Sequence, residues 1–159
     1  MSDWAGERYL DIRKVEELRA IMGKRMDIAV EKGCDAVEPD NIDIYTHPNT
    51  GFNLTKEHQI AYNIMLSEEA HKRNLSIGLK NALLLVPVLE KHFDWVISES
   101  CFTYNECHHL QPFADAGKAV FQAEYELNKV SRICDYNENF QFSVIVKERL
   151  LTPRRESCD

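Results

Sequence analysis

Charged and amide side chains recur in this sequence at the ends of short apolar runs. Asp11 and Arg13 close the run Tyr9-Leu-Asp-Ile. Glu38 and Asp40 close Asp35-Ala-Val-Glu, with Asn41 and Asp43 close behind. Lys80 and Asn81 follow residues 75–79, Glu99 follows 93–97, Glu124 and Tyr125 follow 118–123, and Lys147 follows 141–146. Several carboxylates with two lysines and an arginine suit general acid–base work on a polar substrate. Hydrolysis between two facing carboxyl groups, as on a glycosidic bond, needs one group to hold its proton while the other is ionised. Burial and like charge raise a carboxyl pKa, and Lys80 or Arg13 would supply the lowering influence.

These residues work together only if the fold gathers them. Residues 15–32 carry Val15, Leu18, Ile21, Met22, Ile28 and Ala29 at helical spacing, and Gly33 sits where a helix stops. Thr55 is the expected N-cap of a helix through Gln59, Tyr62, Leu66 and Ala70. Helices are expected at 82–91, bent at Pro87, at 103–115, broken near Pro112, and briefly at 126–132. Together with strands at 9–12, 35–38, 75–79, 93–97, 118–123 and 141–146, this is β-α alternation, the signature of a parallel sheet. In a (β/α) barrel all strand C-termini meet on one face, and that face carries the site. The expected fold class is therefore α/β with a parallel sheet, either a (β/α) barrel or an open doubly wound one. Six strands are present, forming one domain over 1–151, and 152–159 is a polar tail expected to be disordered. The plainer reading is that charges mark where strands leave a core; six strand ends out of six favour a site.

Other chemistries have less support. Glu38, Asp40 and Asp43 offer oxygen ligands for a hard cation. The six histidines fall outside strand ends and form no HxH or HExxH, which argues against zinc, so the expected site has no metal and no cofactor. Lys80 as the Schiff-base lysine of an aldolase-like barrel is the runner-up enzyme. No GxGxxG or P-loop follows any strand. The 159 residues carry a net charge of −7 without a basic patch, which excludes nucleic acid as an expected partner. No apolar run approaches the roughly 20 residues that span a bilayer, so no membrane partner is expected. Tyr45, Phe52, Phe102, Tyr104, Tyr125 and Trp4 lie near strand ends or in adjacent loops. Their rings can stack on sugars or simply pack beneath the loops. Of five cysteines, Cys101 and Cys107 would form a local disulfide in a secreted chain and stay free thiols in a cytosolic one.

The strings Trp4-Ala-Gly-Glu-Arg-Tyr-Leu-Asp-Ile-Arg13, Gly33-Cys-Asp-Ala-Val-Glu-Pro-Asp-Asn41, Gly51-Phe-Asn-Leu-Thr55, Gly78-Leu-Lys-Asn81, Glu99-Ser-Cys101 with Tyr104-Asn-Glu-Cys107, and Gly117-Lys-Ala-Val-Phe121 with Glu124-Tyr125 resemble glycoside hydrolase family 114. The likeness runs in order over about 145 residues. It implies a TIM barrel that hydrolyses α-1,4-linked galactosamine polymers in endo fashion, usually outside the cell. It also implies a polysaccharide partner that is cationic when de-N-acetylated, in keeping with the acidic chain. The family's proposed catalytic pair falls on Asp40 and Glu99. Asp11, Asp43, Lys80, Asn81 and Glu124 fall on motif positions that would line the subsites, and Arg13, Glu38, Asn41, Tyr45 and Tyr125 are expected beside them.

Two departures bear on these expectations. The family's Asn-Glu-x-Cys reads Ser98-Glu99-Ser100-Cys101 here. The chain also starts near the family's third strand and carries no signal-peptide pattern. The sequence alone therefore describes a barrel with its first two β/α units missing, cytoplasmic if that start is genuine. Six strands do not close such a barrel, so open sheet edges and self-association through them are expected. A piece that binds carbohydrate without cleaving it is the non-enzyme alternative.

Overall fold

A computed structural model describes residues 6–158; Trp4 lies outside the described residues. Two compact units divide the chain, Met1–Ile77 and Gly78–Asp159.

In the first unit, helix α1 (Val15–Glu31) buries Leu18, Gly23 and Met26, and places Glu16 and Glu17 in its first turn, where carboxylates favour the helix dipole. It stops at Gly33, whose φ of +73° suits glycine. The N–H groups of Gly33 and Cys34 close on the Val30 and Ala29 carbonyls at 2.9 and 3.0 Å. Strand β1 (Ala36–Val37) follows, then a 3-10 turn at Ile44–Thr46. Helix α2 (Lys56–His71) starts at Thr55 with a capping box to His58, as the sequence predicts. Its buried Gln59 donates to Asn63 at 2.9 Å, and Asn63 donates to the Ile42 carbonyl at 2.9 Å. That pair ties the polar segment after β1 to the helix. The two helices meet at Glu69, which accepts from Arg19 (3.0 Å), Lys72 (2.7 Å) and Arg73 (2.8 Å).

Strand β2 (Ser76–Lys80) pairs in parallel with β1 through Ser76 and Ile77. Its later residues, Gly78–Lys80, pair in the second unit with strand β3 (Trp95–Glu99). Strands β4 (Ala119–Glu124) and β5 (Ser143–Lys147) continue the parallel sheet. The connections are short: α3 (Val86–Leu89), α4 (Cys101–Tyr104), α5 (Gln111–Asp115) and α6 (Val130–Asn137). Pro87 and Pro112 sit in the first turns of α3 and α5, where a missing N–H is harmless. The expected bend and break therefore become helix starts. Strand order is β1-β2-β3-β4-β5, followed by a sixth strand, β6 (Arg155–Ser157), an α/β arrangement matching part of a TIM barrel.

Alternation along the strands divides the second unit's side chains. Val96, Ser98, Val120, Gln122, Glu124, Val144 and Val146 are buried, and so are Leu89, Phe113 and Ile133 from the connecting helices. Trp95, Ile97, Glu99, Phe121, Ala123 and Ile145 share the opposite face, where Phe121 and Ile145 remain 38% and 37% exposed. Gly78 belongs to this second face: a Cβ there would meet the Trp95 ring at 2.3 Å.

Three expectations are corrected. Residues 9–12 are not a strand; the chain turns there, with Lys14 N–H on the Asp11 carbonyl at 3.0 Å and Ile12 buried. The polar tail is ordered: strand β6 (Arg155–Ser157) pairs antiparallel with β5. The outer edge of the last parallel strand, expected to be open, is therefore covered. Disulfides join Cys101 to Cys107 and Cys134 to Cys158, and Cys34 is free and exposed.

Candidate active site

In the second unit the ends of β2, β3 and β4 bring four predicted residues together. Register pairs Lys80 with Ile97 and Glu99 with Ala123. By two-residue alternation Lys80, Glu99 and Tyr125 then point from the same face. The Lys80 ammonium lies 3.3 Å from one Glu99 carboxyl oxygen, and the Tyr125 hydroxyl donates to the other. Asn81 fixes the backbone: its side-chain carbonyl accepts from Glu99 N–H at 2.8 Å, and its own N–H donates to the Ile97 carbonyl at 2.8 Å.

These partners set the protonation of the site. Partial burial alone would raise the Glu99 carboxyl; the Tyr125 hydroxyl, the Lys80 ammonium and Asn81 outweigh it and hold the group below its ordinary value. Burial and the same carboxylate push the Tyr125 hydroxyl up to about 12, so it stays a donor at neutral pH. Glu99, Asn81 and Tyr125 line an open cleft of about 400 Å³ with Ser100, Tyr104, Arg149 and Leu151. A neighbouring cleft of about 540 Å³ shares Tyr125 and Arg149 and adds Glu126, Asn128, Glu148 and Arg154. The Arg149 guanidinium stands 5.7 Å from the Tyr125 ring centre.

Glu124 is placed differently from its neighbour. It has no exposed surface and faces the same way as Gln122. Its carboxyl accepts from Phe102 N–H (2.8 Å), the Gln122 amide (2.9 Å) and the Thr103 hydroxyl (3.3 Å). This buried carboxylate holds the start of α4, immediately after Glu99. The Cys101–Cys107 disulfide holds the same segment. Among the described residues, ligand atoms of Cys101, Cys107 and Glu124 approach within 4.8 Å of one another; the disulfide removes the thiolates a metal would need there.

In the first unit, Glu38, Asp40 and Asn41 line a cavity of about 610 Å³ with Tyr9, Ile42 and Tyr62. Asn41 donates to Asp40 at 3.4 Å. Burial raises the Asp43 carboxyl; His47, 3.7 Å away, counters this, and Asp40 adds to it. Burial and then Asp43 raise the Tyr45 hydroxyl. Asp11 and Arg13 form a two-pronged pair at 2.7 and 2.8 Å, and Arg13 also lies 5.8 Å from the Phe52 ring centre.

Asn41, Asn81 and Ser100 have φ of +54°, +52° and +63°, a region that non-glycine residues enter at a cost. Each directly follows Asp40, Lys80 or Glu99. Asparagine at two of these positions is a readable signal for that conformation; serine is not. Arg149 and Leu151 were not singled out in the sequence, and their signal is only that they lie just beyond the last parallel strand.

The crystal structure of Aspergillus fumigatus Ega3 in complex with galactosamine is similar at a TM-score of 0.89 and 36% identity, covering 99% of this chain and 67% of that one. Among curated proteins none matches the chain. The model of glycoside-hydrolase family GH114 matches residues 1–159, and on that match the chain belongs to family GH114.

Proposed function

We propose that the chain cleaves α-1,4-linked galactosamine polymers internally, with Asp40 and Glu99 as its two carboxyl groups. The observation that carries this reading is Glu99 itself. It stands at the C-terminal end of a parallel strand, in an open cleft, with its carboxylate favoured by Lys80, Tyr125 and Asn81. Asp40 stands three residues beyond the end of β1. Glycoside hydrolysis needs an ionised carboxylate to attack the anomeric carbon or to take a proton from water, and a protonated carboxyl to protonate the leaving oxygen. Glu99, held below its ordinary value, fits the first role, and Asp40 is its partner carboxyl. Asp11, Arg13, Glu38, Asn41, Asp43, Tyr45, Lys80 and Asn81 serve recognition, with Glu124 acting indirectly through the α4 segment and Tyr125 through Glu99.

The substrate class rests on the likeness to a structure holding galactosamine and on the net charge of −7, which favours a polymer bearing ammonium groups. Two disulfides fit an oxidising, extracellular place of action; among the described residues no helix is long and apolar enough to cross a membrane. An aldolase reading is disfavoured because the Lys80 nitrogen, which would have to attack a carbonyl as a free amine, is ion-paired with Glu99. Incubation with an α-1,4-galactosamine polymer, followed by sizing of the products, tests the proposal. Intermediate oligomers at early times support it. An unchanged polymer that nevertheless binds would leave a carbohydrate-binding module, and monomer alone would make the action exo.

A further inference from the structure

We infer that Tyr125 is a positioning residue for the reaction, fixing the orientation and charge of the Glu99 carboxylate. The inference rests on the reading of Glu99 as a catalytic carboxyl.

Each Glu99 oxygen has its own partner. The neutral Tyr125 hydroxyl donates to Oε1, and the Lys80 ammonium lies 3.3 Å from Oε2. Two partners on two oxygens define the carboxyl plane, where a single cation would leave it free to rotate. The backbone beneath is held at both sides of the strand end: Glu99 N–H donates to Asn81, and Ser100 N–H donates to the Ala123 carbonyl at 2.8 Å. An ionised carboxylate offers about four lone-pair sites, so these two contacts leave acceptor capacity for a substrate in the cleft.

Tyr125 reaches this position by register. Ala123 is the partner of Glu99, and Tyr125 is two residues further along β4's direction, on the same side. Its ring is held by the Arg149 guanidinium, from the segment after β5. The titratable and charged groups around Glu99 and Tyr125 in this cleft are thus Lys80 from β2, Tyr104 from α4 and Arg149. Of these, the hydroxyl is the neutral group bonded to the carboxylate. It can therefore orient Glu99 without adding a second positive charge where a cationic sugar must approach.

Tyr125→Phe keeps the ring and removes the hydroxyl. The test compares this variant with the parent chain and with Glu99→Gln on an α-1,4-galactosamine polymer, measuring kcat, KM and the pH profile of kcat/KM. The expected result is a kcat lower by about 10- to 100-fold, the usual weight of one hydrogen bond to a charged group. KM should stay within about twofold. The acid limb of the profile should move to higher pH, because a carboxylate that loses a donor is more easily protonated. A raised KM with unchanged kcat would overturn the inference and make Tyr125 a substrate contact. So would an unchanged pH profile. If Glu99→Gln is inactive while Tyr125→Phe behaves as the parent, the positioning role alone fails. If Glu99→Gln stays active, the catalytic reading fails and takes this inference with it.

Discussion

Replacing Lys80 by methionine removes the cation beside Glu99 and keeps most of the side chain's length. The Lys80–Glu99 separation is 3.3 Å, and their side chains are 12% and 37% exposed. Two unit charges at that distance interact by roughly 5 kcal/mol at an effective dielectric constant of about 20. Glu99 faces an open cleft, so water screens the pair, and about 1 kcal/mol is the working figure. That corresponds to somewhat less than one unit in the Glu99 pKa. The sign follows from the charge removed. Glu99 is held below its ordinary value in the folded chain, so losing the cation raises it. At low pH a larger fraction is then protonated, and the acid limb of kcat/KM moves up by somewhat less than one pH unit. A carboxyl ¹³C titration of labelled chain reads the same shift without relying on turnover. An unchanged Glu99 titration in Lys80→Met would refute the electrostatic account, whatever happened to activity.

Glu69 provides a pH-dependent test of the α1–α2 pair. Lys72 lowers its carboxyl most; burial opposes this, Arg73 and Arg19 lower it further, and it is held at about 2 against an ordinary 4.5. A depressed carboxyl stabilises the fold above about pH 4.5 and loses that contribution as pH falls towards 2. After screening, the contribution is roughly 1–2 kcal/mol. Urea melts of Glu69→Gln should show that loss at pH 7, with the gap from the parent closing towards pH 2. Gly78→Ala should destabilise the second unit by about 1–3 kcal/mol, since its Cβ would strike the Trp95 ring at 2.3 Å. A melt equal to the parent's would show that the ring moves freely. Replacing Cys134 and Cys158 by serine opens a link spanning 24 residues and should lower stability by roughly 3 kcal/mol. Hydrogen exchange at residues 155–157 should quicken as β6 loses its anchor.

Much of this arrangement was legible in the residues. Thr55 announced its helix because a hydroxyl three residues before a side chain that can reach back is a local device. Gly33 likewise announced a stop. The strand-end residues Lys80, Asn81 and Glu99 were found because β-α alternation is a strong periodic signal. The misreadings arise where a local turn or a distant partner outweighs the apolar pattern. Residues 9–12 look like a strand, but the Asp11–Arg13 fork and the turn to Lys14 bend the chain there. Arg155, Glu156 and Ser157 carry no apolar alternation, yet pairing with β5 and the Cys158 link order them. Glu124 and Tyr125 were read together as site residues. Adjacent residues at a strand end point to opposite faces, so one became a buried clamp and the other a wall of the cleft.

The pairing of Asp40 and Glu99 as catalytic carboxyl groups has a direct consequence for turnover. It is tested most directly by the initial rate of new reducing ends from an α-1,4-galactosamine polymer, for the parent chain, Asp40→Asn and Glu99→Gln, with circular dichroism melts alongside. Each substitution should lower the rate by at least about a thousandfold while the melts stay near the parent's. A folded variant that retains the parent's rate would remove that residue from the pair and contradict the claim.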